Sequence, residues 1–87
     1  MGRPTNAINL SSVEKRFAQE AWDDIKAQCQ TELHWGCYDP ARYTPQACQA
    51  YISAWLRLEG GWPNDEAEQI AGIFMRHRRL PDPTPPR

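Results

Sequence analysis

Long apolar runs are missing from this 87-residue sequence. No stretch approaches the roughly eighteen consecutive apolar residues of a membrane span, so no membrane partner is expected. The first residues also lack the charged-then-apolar pattern of a secretory leader. Cysteine is scarce, with three residues, Cys29, Cys37 and Cys48. An odd number makes a poor disulfide framework, and free thiols suit a reducing compartment, so the expected location is the cytoplasm. Neither sign of charge is in excess. The formal net charge is −1, which argues against a general polyanion binder, since such domains are usually strongly basic. The motifs of common catalysts are absent too: there is no P-loop, no G-x-G-x-x-G, no G-x-S-x-G and no H-E-x-x-H. The expectation is a non-enzymatic protein without a cofactor.

What is present describes an ordinary globular chain, 40% apolar and 24% charged. Its length allows one domain, burying about 60–65% of the surface the unfolded chain exposes. Residues 1–10, MGRPTNAINL, carry no periodicity and read as a flexible, disordered arm. Residues 81–87, PDPTPPR, hold four prolines. Proline fixes φ and removes a backbone donor, so this segment reads as an extended tail. Residues 11–80 remain for a helical bundle domain.

Three helices fit there. Ser11 and Glu14 form an S-x-x-E capping box that opens the first. Phe17, Ala18, Ala21, Trp22, Ile25, Cys29 and Leu33 then share one arc of a helical wheel, and Gly36 is a natural stop. Thr44-Pro45 opens the second helix and Gly60-Gly61 closes it after Glu59. Its nine apolar residues, Trp55 expected to be buried among them, leave only a narrow polar strip of Gln46, Gln49, Ser53 and Arg57, which predicts the central helix of the domain. The third starts near Asn64. It has Asp65, Glu66 and Glu68 in its first turns, and Arg76, Arg78 and Arg79 in its last, as the helix dipole favours. Ala67, Ile70, Ala71, Ile73 and Phe74 make its core face, and His77 falls on the same arc. No segment alternates with the two-residue period of a strand. The predicted fold is all-α, a small three-helix bundle with a short extra turn within residues 35–44.

Four constellations bear on function. Cys29, His34, Cys37 and Cys48 supply the ligand types of a CCHC zinc site. They lack the C-x2-C pairing that marks such sites, and Cys29 and Cys48 sit on apolar stripes, so packed thiols and no metal are expected. Cys37 beside His34 offers a thiol and a base, but no third group orients them. Arg57, Arg76, Arg78 and Arg79 could contact phosphates, as in a nucleic-acid-binding accessory domain of a replication or packaging protein. The second helix, the EGGWPND turn and the third helix imitate a helix-turn-helix, but Asp65, Glu66 and Glu68 occupy the end that would meet DNA. The fourth is the connector WGCYDPARYTP, residues 35–45. Trp35, Tyr38, Arg42 and Tyr43, with Trp62 in the other connector, are the residue types that dominate protein interfaces.

Residues 2–5, GRPT, resemble the start of some phage terminase small subunits, and residues 54–74, AWLRLEGGWPNDEAEQIAGIF, resemble helical segments that follow the catalytic domain in phage and plasmid primases. Neither stretch carries a functional residue over. The expected function is binding of another protein through the aromatic connector, as an adaptor or inhibitor of a phage or plasmid would do. The same rings would serve a homodimer, and an exposed edge around Gly72 would add to the contact surface.

Overall fold

The capping signals of the sequence set the boundaries of the helices. A computed structural model describes residues 10–76 and 78; of the expected N-terminal arm, residues 1–10, only Leu10 is described and it packs against the core, while the rest of the arm and the Pro-rich tail, with His77 and Arg79, lie outside. The first helix, α1, spans Ser12–Trp35. Its capping box is reciprocal: the Glu14 N–H donates to Ser11 Oγ at 3.2 Å, and the Ser11 N–H donates to Glu14 Oε1 at 2.9 Å. Gly36 ends it with φ 76°, and the Cys37 N–H donates to the Glu32 carbonyl at 2.9 Å. A 3-10 turn follows over Pro40–Tyr43. The second helix, α2, spans Pro45–Gly60, capped by the Thr44 hydroxyl, which accepts from the Ala47 N–H at 3.1 Å. Gly61, φ 77°, reverses the chain into the third helix, α3, Asn64–Met75. Both reversals use the left-handed region, where a side chain costs about 1 kcal/mol or more and glycine costs nothing. Gly60 is constrained differently, because a Cβ there would lie 2.2 Å from the Trp62 ring.

The three helices form an all-α bundle, with no strand among the described residues. Helix α2 packs on both neighbours, which touch each other less, so it is the central helix, as its apolar surround predicts. The core joins Ala18, Ala21, Trp22 and Ile25 of α1 to Cys48, Ile52 and Leu56 of α2 and to Ala67, Ile70, Ala71, Phe74 and Met75 of α3. Phe74, Ile52, Leu56 and Ile70 are its largest fully enclosed side chains.

Three expectations need correction. The polar strip of α2 is not wholly on the outside: Ser53 is only 7% exposed, whereas Leu58 is 77% exposed. Trp55 is half-buried rather than central, with its indole N–H enclosed and without a partner. Helix α3 stops at Met75, before the basic run. Arg78 explains part of that stop. Its Nη1 donates to the Phe74 carbonyl at 2.7 Å, and its guanidinium carbon lies 3.8 Å from the Phe74 ring centroid. One side chain thereby satisfies an orphan carbonyl of the last turn and covers an aromatic face.

The antiparallel pairing of α1 and α2 places the candidate site. Phe17 meets Trp62, Asp24 meets Tyr51, and Glu32 meets Arg42. Helix α1 has 24 residues and α2 has 16. At about 1.5 Å per residue, the first is roughly 12 Å longer. Its last turn therefore runs past the start of α2, with only the 3-10 turn beside it.

Candidate binding site at the end of the bundle

The connector between α1 and α2 is a fixed structure, tied at successive points. The Asp39 carboxylate accepts from the Ala41 N–H at 3.0 Å, and the Arg42 N–H donates to the Asp39 carbonyl at 3.0 Å. Proline at the first position of the 3-10 turn presets φ there. Arg42 Nη1 reaches Glu32 Oε2 at 2.9 Å, joining the connector to the last turn of α1. The Arg42 guanidinium carbon also lies 5.9 Å from the Tyr43 ring centroid. Tyr38 stacks on Tyr43 with centroids 5.4 Å apart and planes 10° from parallel.

Tyr43 roots the stack in the core, packed against its buried cluster. Its hydroxyl and Glu32 Oε1 are both enclosed without a well-formed hydrogen bond. Burial first, and the neighbouring Glu32 carboxylate second, push the Tyr43 phenol up to about 12. The two groups form a loose pair rather than a bonded one. Nearby, Tyr51 donates a short hydrogen bond to Asp24 Oδ2, and Gln28 donates to the same oxygen at 2.8 Å. That bond, and burial after it, raises the Tyr51 phenol as well. Burial likewise raises the Cys29 and Cys48 thiols.

These raised groups predict alkaline destabilisation. Each is neutral in the folded chain at a pH where the unfolded chain has begun to lose the proton. The unfolded state therefore binds fewer protons as pH rises, and stability falls. The contribution is intact below the ordinary thiol value of 9.0 and is lost through the folded value of Tyr43 at about 12. Thermal melts should show Tm falling steadily between about pH 9 and pH 12, with Tyr43→Phe flattening the upper part of that fall.

Trp35 is 74% exposed, with its ring edge-on to His34 at 5.5 Å, and Leu33 is 41% exposed. Leu33 was expected in the core and is found outside it. The apolar stripe of α1 continues past the point where α2 begins, so its last member has no helix to cover it. The surplus length of the first helix over the second carries that signal in the sequence. The opposite correction applies to Trp62. It is half-buried, edge-on to Phe17 at 5.3 Å, and packed against the core. Phe17 and Trp35 are 18 positions apart on α1, roughly 27 Å along its axis. Trp62 therefore belongs to the other end of the bundle and does not share a surface with Trp35, Tyr38, Arg42 and Tyr43.

The remaining candidates are dispersed. Cys29 and Cys48 are buried in the interior, while Cys37 and His34 are exposed. The CCHC quartet is not assembled, and no three His, Cys, Asp or Glu side chains among the described residues stand together as metal ligands. Arg57 lies near the C-terminal end of α2 and Arg76 at the C-terminal end of α3, at opposite ends of an antiparallel pair. Arg78 is engaged on Phe74, and Arg79 lies outside the described residues. The basic residues thus do not form one patch. Gly72 is not on an open edge: it is half-buried and faces the Gln49 side chain of α2. No family model, curated protein or solved structure matches the chain.

Proposed function

We propose that this chain is a non-enzymatic protein-binding module whose contact surface is the overhanging end of α1 and the connector beneath it. The observation that carries the reading is the exposure of Trp35 and Leu33 on the last turn of α1, which Glu32 ties to Arg42 of the connector that bears the tyrosine stack. A large indole in water has no folding role to explain it, and interface anchors are drawn from Trp, Tyr and Arg. The connector's own hydrogen bonds and the Glu32–Arg42 pair hold Tyr38, Arg42 and Tyr43 in place before any partner arrives. Such preorganisation lowers the ordering cost that association otherwise carries.

The test is affinity purification of the tagged chain from its native host at low and at high salt. A partner anchored on apolar and aromatic groups stays bound at both and is lost from the Leu33→Ser, Trp35→Ser variant. A partner bound through phosphates dissociates steeply with salt, in proportion to the contacts made. The second outcome would favour a nucleic-acid reading through Arg57 and Arg76. Retention of the same partner by the double variant would move the contact surface elsewhere.

A further inference from the structure

The polar strip of α2 borders α3, with Ser53 buried and Gln46, Gln49 and Arg57 exposed. Between them lies a groove of about 330 Å³, lined by Gln46, Gln49, Ser53 and Arg57 of α2 and by Asn64 and Glu68 of α3. That volume is at the small end of ligand-sized sites, which begin near 300 Å³. Ala50 forms an apolar part of its wall.

The hydrogen-bonding state of these side chains sets the groove apart. Among the described residues, none of the six polar groups makes a side-chain hydrogen bond or an ion pair. Ser53 is the strongest case. It is more than nine-tenths buried and lines the groove, and its hydroxyl, which bonds no other described residue, is reached from the groove rather than enclosed. Asn64 opens α3 behind a proline N-cap that supplies no side-chain bond. Arg57 and Glu68 carry opposite charges on the same groove without meeting each other.

We propose that this groove binds a small zwitterion of the α-amino-acid kind. Arg57 and Ser53 stand one helical turn apart on α2, and Asn64 and Glu68 one turn apart on α3. A ligand carboxylate pairs with the Arg57 guanidinium, which suits planar oxyanions. A primary ammonium, with three donors, is taken by the Glu68 carboxylate, the Asn64 carbonyl oxygen and the Ser53 hydroxyl. The amides of Gln49 and Gln46 continue the groove and both donate and accept, which favours a polar side chain on the ligand. The charge around the groove selects against simpler ions. Asp65 and Glu66 at the start of α3 repel a free anion, while Arg57 repels a free cation. A molecule with both charges offsets each repulsion with a pairing, its carboxylate on Arg57 and its ammonium on Glu68.

L-Glutamine serves as the probe, titrated into the isotopically labelled full chain through the low millimolar range. N-acetyl-L-glutamine, which lacks the ammonium, and glycine betaine, whose quaternary nitrogen cannot donate, serve as comparisons. The expected result is saturable movement of the Gln49, Ser53 and Asn64 amide signals with L-glutamine and none with the other two. Arg57→Gln and Glu68→Gln, at exposed positions that leave the fold intact, should each weaken binding roughly tenfold or more. Absence of saturable shifts with L-glutamine, equal binding of either comparison compound, or unchanged affinity in both variants overturns the proposal.

Discussion

Replacing Phe74 with alanine is expected to lower Tm by at least about 12 °C. Phe74 is 1% exposed and is the largest fully enclosed side chain of the domain. Truncating such a residue typically costs about 3–5 kcal/mol, because apolar transfer is lost and the cavity relaxes only in part. At roughly 0.05–0.15 kcal/mol per residue, a chain of this length has about 4–13 kcal/mol in all. The loss is compounded locally. Arg78 covers the Phe74 ring and bonds the Phe74 carbonyl, so truncation also removes the platform that holds the end of α3. Circular dichroism melts of wild type and Phe74→Ala measure the effect directly. A Tm within a few degrees of wild type would mean that the centre of the core lies elsewhere.

The second large effect is on binding. Leu33→Ser with Trp35→Ser is expected to weaken partner affinity by about thirtyfold or more, the factor that corresponds to losing one hot-spot residue of about 2 kcal/mol. Helicity should be unchanged. Both side chains are exposed on the last turn of α1, and serine there costs only a few tenths of a kcal/mol in helix propensity. Trp62→Phe provides the matched comparison. It alters an aromatic at the opposite end of the bundle and should leave affinity as it was. Equal losses in the two variants would show that the effect passes through folding rather than through contact.

The helices were legible because local signals agreed with one another. Ser11 with Glu14, Thr44 with Pro45, and the Gly60-Gly61 pair marked ends that tertiary packing then respected. The apolar surround of α2 correctly predicted its central position. What failed to show was relative placement. A helical wheel gives Leu33 the same face as Ile25, but it carries no information on where the neighbouring helix ends. Leu33 is thus exposed and Ile25 buried on one stripe. Trp62 and Trp35 look alike as connector aromatics, and only the antiparallel pairing of α1 with α2 sends them to opposite ends. Ser53 reads as a solvated position on the wheel, yet α3 closes over it. The termination of α3 at Met75 depended on Arg78 folding back, a tertiary contact that the run of basic residues does not specify.

The surplus turn of α1 also sets the local thermodynamics of the molecule. Residues 33–35 are exposed and held only by their own backbone ladder, the Gly36 closure and the neighbouring Glu32–Arg42 tie, so they can melt while Trp22 and Ile25 stay locked. Amide hydrogens in that turn should exchange with deuterium well before those of residues 18–25, and engagement of Trp35 by a partner should slow them first. On the proposed reading, the turn that bears Trp35 would then be looser than the core, while the tied connector next to it stays fixed.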